Sequence, residues 1–169
     1  MGIFDGSNKV KTAKGTEGGI YFLPGTYLVE IVRCKEGLNQ HQKKFFVAEC
    51  KILESDNPER KVGTPCSFMV TFDKFPDLSM GNVADFLRAA LSSKLAAMGI
   101  DVPFEKVTLD DNIGNDCVGE KNELVGVKLR TFAFNKPTKE GTDFTRHKWY
   151  LPNAQLGADG KQVGAATTA

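Results

Sequence analysis

Two neighbouring segments in the last third of the chain alternate cations with aromatic rings. The first covers residues 124–135 and the second covers residues 142–151. In a β-strand successive side chains point to opposite faces, so one face of each strand would carry the mixed set. Lysine and arginine attract phosphates, and flat rings stack on unpaired bases. The pattern therefore predicts a surface for single-stranded nucleic acid. Its members are Lys128, Arg130, Phe132 and Phe134 on the first strand, and Phe144, Arg146, Lys148 and Tyr150 on the second.

The same alternation has a purely structural interpretation. Solvent-facing sides of antiparallel sheets are often rich in lysine and arginine, and an outward phenylalanine can be covered by a loop, a helix or a second subunit. The distribution of charge favours binding. The whole chain has a formal net charge of only +1, but residues 124–151 hold six basic and two acidic residues, whereas residues 54–123 hold 13 acidic and seven basic ones. Positive charge is therefore concentrated where the rings are.

The two segments predict a β-hairpin, because runs of β-branched and aromatic residues flank a short loop that holds Pro137 and Gly141. Similar alternating runs earlier in the chain predict three more strands. These strands are expected over residues 26–35, 45–54 and 66–72.

A stripe of apolar residues at three- and four-residue spacing predicts a helix over residues 82–98, which Gly99 ends. A weaker pattern near residues 104–109 allows a short helix. The order of elements is therefore strand, strand, strand, helix, strand, strand. This order predicts a mainly β fold, namely a five-stranded OB-fold barrel with a helix between strands three and four.

An OB-fold binds its ligand on one strand face, flanked by the loop between strands one and two and the loop between strands four and five. Here these loops cover residues 37–44 and 135–143. Phe45 is a further candidate for stacking, although a core position in the other register fits the pattern equally well. Trp149 falls on the opposite face and is expected in the core, unless a strand bulge turns it outward. The candidate nucleic-acid-binding residues are Lys43, Lys44, Phe45, Lys128, Arg130, Phe132, Phe134, Lys136, Lys139, Arg146, Lys148 and Tyr150.

The sequence offers little support for catalysis or for a resident metal. The four cysteines are far apart and only two histidines accompany them, whereas zinc sites need closely spaced ligand pairs. Residues 110–121 match a calcium loop only in part, since Asn115 stands where the loop needs glycine and Lys121 where it needs glutamate. Phosphate-binding glycine loops, nucleophile elbows and His-Glu-x-x-His helices are absent from the sequence. We therefore expect a binding protein that is not an enzyme and has no cofactor and no metal.

Three stretches, taken together, give the chain a recognisable layout. They are Gly-Thr-Tyr-Leu-Val-Glu-Ile at 25–31, Lys-Phe-Phe-Val-Ala-Glu-Cys-Lys-Ile-Leu at 44–53, and a closing hairpin that starts Leu-Val-Gly at 124–126, after a helical insertion. From residue 24 to 151 the chain resembles the small OB-fold single-stranded-DNA-binding proteins encoded by bacteriophages. The resemblance implies a sequence-nonspecific protein that coats and protects exposed strands during phage DNA replication or recombination. Its partners would be single-stranded DNA, replication or recombination proteins, and further copies of itself.

The sequence departs from this family at its C-terminus. Many cellular and some phage members end in an acidic tip that recruits partner enzymes, whereas this chain ends Val-Gly-Ala-Ala-Thr-Thr-Ala. Both ends are predicted to be flexible, because residues 1–19 are rich in glycine and residues 153–169 are small and polar without periodicity. The folded domain is therefore expected over residues 20–152.

Neither a transmembrane run nor a secretory signal is recognisable in the sequence. This predicts a protein that has no membrane contact and lies in the cytoplasm, or in the host cytoplasm if the protein is viral.

Two other functions remain open. The barrel could be a virion or tail component in which the hairpin is a subunit interface, and it would then assemble without nucleic acid. It could also be an adaptor or inhibitor that binds another protein through the rings, and it would then prefer that protein to any DNA.

Overall fold

One long strand, β1, lies at the centre of the sheet, and the other strands are arranged around it. The computed structural model describes residues 20–73, 76–137 and 143–164. The predicted N-terminal arm and Lys139 lie outside these ranges. The elements within them are β1 (Gly25–Leu38), β2 (Lys44–Ser55), β3 (Pro65–Phe72), α1 (Pro76–Ala97), a 3-10 turn (Phe104–Lys106), α2 (Asp111–Val118), β4 (Lys128–Pro137), β5 (Asp143–Tyr150), β6 (Gln155–Leu156) and β7 (Gln162–Gly164).

Strands β1 to β5 form one antiparallel sheet in the order β3-β2-β1-β4-β5. β1 pairs with β2 over most of its length and with β4 over its first part, from Gly25 opposite Ala133 to Glu30 opposite Lys128. Two register shifts interrupt the β1–β2 ladder near Val29 and Arg33. Such irregularities increase the local twist and bend of a strand. The predicted mainly β fold with five strands is therefore confirmed.

The sheet is not closed into a barrel by backbone hydrogen bonds, in contrast to the sequence-based expectation. Side chains bridge the two edge strands instead. The ring of Phe68 on β3 lies 5.0 Å, between centroids, from the rings of both His147 and Trp149 on β5. Residues that precede β1 cover part of the β3 edge, because the Ser67 amide donates to the Ile20 carbonyl at 2.8 Å. Side-chain packing is not encoded by the strand periodicity, so the sequence pattern could not distinguish the two forms of closure.

The core lies between the inward face of the sheet and α1. Phe86 of α1 is fully buried and its ring packs against those of Phe46, Phe68 and Trp149 at centroid distances of 4.9–5.7 Å. Buried rings of this size contribute a large share of the hydrophobic free energy of folding. The predicted core position of Trp149 is therefore confirmed, since only 8% of its surface is exposed.

Helix α1 begins six residues earlier than predicted, at Pro76 in place of residue 82, and it ends at Ala97. Proline is favourable in the first turn of a helix, and Asp77 places a negative charge near the positive end of the helix dipole. The first turn is exposed, so it adds nothing to the apolar stripe from which the sequence prediction was made. The buried stripe starts at Val83.

The segment between α1 and β4 holds a helix that the sequence pattern did not predict. α2 begins after Asp110, whose carboxylate accepts a hydrogen bond from the Ile113 amide at 2.8 Å, so this residue of the rejected calcium loop is a helix cap. The weak helical pattern near residues 104–109 becomes the 3-10 turn alone. After α2, the Asn122 side chain bonds both the amide and the carbonyl of Cys34, which ties this connection to β1.

The C-terminal segment differs from the predicted flexible tail. Residues 155–164 form a small hairpin, β6–β7, and Ala154 before it is buried. The Gly157 amide donates to the Lys161 carbonyl at 2.8 Å and the Gly160 amide donates to the Gly157 carbonyl at 3.0 Å, which closes the turn. Glycine and aspartate favour turns as well as disorder, and this ambiguity explains why the sequence pattern did not indicate a hairpin here.

Candidate nucleic-acid interface

The outer face of β4 and β5 brings together most of the sequence-predicted cations and rings. Leu129, Thr131 and Ala133 point into the core and are fully buried, so the residues between them point outward, as the alternation predicts. The ladder between the two strands pairs each outward ring with a cation directly opposite. These pairs are Arg130 with Tyr150, Phe132 with Lys148, and Phe134 with Arg146.

The rings on this face are close to one another and to a cation. The Phe132 and Phe134 rings stack with centroids 5.6 Å apart and planes inclined by 21°, and the Lys148 ammonium lies 5.7 Å from the Phe134 centroid. Both rings are half-buried. A cation at this distance attracts the electron-rich face of a ring, and it also remains available to a phosphate. Base stacking and phosphate contact can therefore occur side by side here.

The C-terminal hairpin packs on part of this surface. The Tyr150 hydroxyl donates to the Gly160 carbonyl at 2.7 Å, and the Gly160 backbone lies against the Phe132 ring. Burial and the neighbouring Asp159 carboxylate raise the pKa of Tyr150. Phe132 and Tyr150 are therefore partly covered by the chain itself, a feature that sequence reasoning missed because it took residues 153–169 for a free tail.

This packing predicts an unusually costly glycine substitution. Gly160 has a φ of +78° and Gly63 has a φ of +88°, but a Cβ at Gly160 would overlap the Phe132 ring whereas a Cβ at Gly63 meets open space. Gly63→Ala therefore measures backbone strain alone. We expect Gly160→Ala to lower the free energy of unfolding by about 1–3 kcal/mol more than Gly63→Ala does, as measured by urea denaturation. Equal losses would contradict the packing of the hairpin on Phe132.

Arg130 is held in place by the protein rather than presented to solvent. Its guanidinium lies 3.3 Å from the Glu54 carboxylate and donates to the Pro152 carbonyl at 3.1 Å, and 17% of its side chain is exposed. These contacts use its charge within the fold. Lys43 also has an internal partner, the Asp73 carboxylate at 3.6 Å, although both groups are near the surface. The predicted cations that lie exposed are Lys43, Lys44, Lys128, Lys136 and Lys148.

Phe45 and the two lysines before it lie elsewhere on the sheet. Phe45 is opposite Gly37, near the end of β1, and its ring packs over that glycine. Phe132, in contrast, is opposite Thr26 at the start of β1. Because the two groups lie at opposite ends of β1, the ladder does not bring Lys43, Lys44 and Phe45 together with the β4–β5 surface.

The edge of the sheet holds a cavity that the sequence pattern did not indicate. It has a volume of about 350 Å³ and lies between β3, the start of α1 and β5. The His147 ring lines it and stacks on Trp149 at a centroid distance of 5.1 Å. Burial lowers the pKa of His147 to about 3, so the imidazole is neutral at physiological pH. The sequence contains one indication of this cavity, namely a histidine on the inward face of a predicted strand. Alternation alone assigns such a histidine to core packing.

No protein-family model matches this sequence, and a comparison with curated proteins gives no match. None of the helices in the described ranges is long and apolar enough to cross a bilayer. The same ranges contain no group of three or more histidine, cysteine or acidic side chains arranged to hold a metal ion.

Proposed function

We propose that this protein binds single-stranded DNA without sequence preference and coats exposed strands during phage DNA replication or recombination. The observation that carries the proposal is the cross-strand pairing of a ring with a cation that has no partner role in the fold described above, namely Phe132 with Lys148 and Phe134 with Arg146. A single strand presents a phosphate and a base at each nucleotide, and this surface offers a partner for both. Stacking of one base on an aromatic side chain contributes on the order of 1–3 kcal/mol.

The fold supports the proposal at the level of topology. The order β3-β2-β1-β4-β5, with α1 between β3 and β4, is the order of an OB-fold in which β3 and β5 would be neighbours. We propose that the Phe68 contacts with β5 take the place of the hydrogen bonds that would close such a barrel. In this arrangement the binding surface extends toward the loop between β4 and β5.

The test is fluorescence anisotropy of a labelled dT oligomer titrated with the protein at several salt concentrations, with duplex DNA of equal length as the control. We expect affinity for the single strand that falls as salt rises, and weaker affinity for the duplex. If Lys128, Lys136, Lys148 and Arg146 each neutralise one phosphate, the slope of log K against log salt is roughly −3. Absence of binding at low salt would contradict the proposal. Assembly of the purified protein without DNA would then favour a virion or tail component.

Removal of one exposed cation should change this slope by a predictable amount. Lys148 lies on the proposed surface, whereas Lys106 is an exposed lysine of the 3-10 turn, away from β4. We expect Lys148→Ala to make the slope less steep by about 0.7 and Lys106→Ala to leave it unchanged. Equal effects of the two substitutions would indicate attraction by overall charge rather than by this face.

A further inference from the structure

The cavity at the sheet edge has the composition of a small-molecule site. One wall is aromatic, formed by Phe68, His147 and Trp149, and its other lining residues include Asn82 and Asp85 of α1. A neighbouring cleft of about 490 Å³ shares Asp85, His147 and Trp149 as lining residues. Binding sites for small flat ligands are typically mostly apolar, with a few placed polar groups, and have volumes from about 300 Å³ upward. The cavity is therefore large enough for one nucleobase.

The hydrogen bonds around His147 determine which ring nitrogen carries the proton. Thr131 Oγ1 lies 3.0 Å from the Lys148 carbonyl and 3.2 Å from His147 Nδ1. A hydroxyl has one proton, and the carbonyl can only accept, so the Thr131 proton goes to the Lys148 carbonyl. Nδ1 must then donate to Thr131, and Nε2 keeps a lone pair. His147 is consequently a fixed acceptor, since its proton cannot move to the other nitrogen without breaking this chain.

The polar lining of the cavity offers both donors and acceptors. Arg146 can only donate and the Asn82 amide can do both, whereas the unprotonated nitrogen of His147 and the carboxylate of Asp85, which lies 4.0 Å from the Arg88 guanidinium, can only accept. A base that carries an exocyclic amino group offers the matching donors. Thymine has no such group, so the lining favours cytosine, adenine or guanine over thymine.

The cavity adjoins the proposed binding surface through Arg146. This residue lines the cavity and is also the cross-strand partner of Phe134. Because Arg146 belongs to both sites, its guanidinium can hold the phosphate that links a base stacked on Phe134 to a base in the cavity.

We propose that this cavity receives one unpaired base of the bound strand and prefers a base with an exocyclic amino group. The inference rests on the proposed function, and it adds a base preference to a surface that is otherwise indifferent to sequence. The base would lie against the His147–Trp149 wall with its amino group donating to Asp85 or to Nε2 of His147.

Trp149 makes the inference testable, because it is the single tryptophan of the chain and lines the cavity. The protein is titrated with dC, dA and dT oligomers of equal length while tryptophan emission and anisotropy are both recorded. We expect saturable quenching of tryptophan emission by dC and dA oligomers at the concentrations that saturate anisotropy, and weaker quenching by dT. Binding seen in anisotropy with unchanged tryptophan emission for every oligomer would overturn the inference and leave the proposed function standing. If neither signal changes, the proposed function fails.

Substitutions on α1 give a second measurement that does not depend on fluorescence. Asp85→Asn and Asn82→Ala change the polar lining, whereas Asp77→Asn changes an exposed carboxylate in the first turn of the same helix. We expect each of the first two to reduce the ratio of dC to dT affinity about three- to tenfold, with dT affinity retained. Asp77→Asn should leave the ratio unchanged. A ratio that stays constant in all three variants would overturn the base preference.

Discussion

Phe134→Ala is expected to weaken binding of a dT oligomer by roughly 5- to 150-fold while the protein stays folded. The ring points outward from β4, stacks on Phe132 and has the Lys148 ammonium beside it. Loss of one stacking partner costs about 1–3 kcal/mol per base, and this range converts to the stated change in affinity. The dissociation constant from fluorescence anisotropy and the melting temperature should be measured on the same preparation.

Two companion variants separate stacking from packing. Phe134→Trp keeps a flat ring and should keep most of the affinity, whereas Phe134→Leu keeps apolar volume without a ring and should behave like the alanine variant. Phe86→Ala provides the contrast, because this fully buried ring should cost about 3–5 kcal/mol of stability. A large fall in melting temperature for Phe134→Ala with intact affinity would mean that the outer face is a packing surface.

Acidification should destabilise the protein through His147. Burial lowers the pKa of this histidine to about 3 from an ordinary value of 6.5. Between these pH values the unfolded chain binds a proton that the folded protein does not, so the free energy of unfolding falls as pH falls. The free energy of unfolding changes by about 1.4 kcal/mol per pH unit in this range. The total loss between pH 6.5 and pH 3 is roughly 4 kcal/mol, with allowance for the partly exposed ring. Above pH 6.5 the contribution is constant.

The measurement compares urea denaturation of the wild type and His147→Phe from pH 7.5 to 4. Other groups also titrate in this range, so the difference between the two proteins is the quantity that isolates one proton. We expect this difference to change with the stated slope below pH 6.5, as the wild type loses stability faster. His41→Gln, at an exposed position between β1 and β2, is the matched control and should follow the wild type. A constant difference for His147→Phe would show that the folded protein can protonate this ring.

The period-two alternation was sufficient to predict the faces of the strands. It placed Phe132 and Phe134 outward and Trp149 inward, because a one-residue change of register would bury charged residues such as Lys128. The same pattern could not predict which cations are free to bind a ligand and which have partners within the fold. Arg130 is drawn to Glu54 and Pro152, which are distant in sequence, and only tertiary packing brings these groups together.

The elements that the sequence failed to predict are those whose stability comes from a few specific contacts. α2 is short and depends on its Asp110 cap, so it has little apolar periodicity to detect. The β6–β7 hairpin consists of small polar residues, and it is held by one tyrosine hydroxyl and one close approach of Gly160 to a ring. The cavity beside His147 is formed where β3, α1 and β5 come together at the sheet edge, and a local sequence pattern does not show which distant elements are in contact.

The four buried cysteines can report the order in which parts of this fold open. Cys34, Cys50 and Cys66 lie on successive strands β1, β2 and β3, Cys117 lies on α2, and each is at most 2% exposed. Burial raises the pKa of all four thiols, to about 12 for Cys34 and about 11 for Cys66 and Cys117, so the reactive thiolate is scarce in the folded state. An alkylating reagent can then modify a cysteine only when its own region opens. The order in which the four peptides become labelled would rank the opening of the helical segment against that of the sheet, from a single unmodified protein and without any mutation.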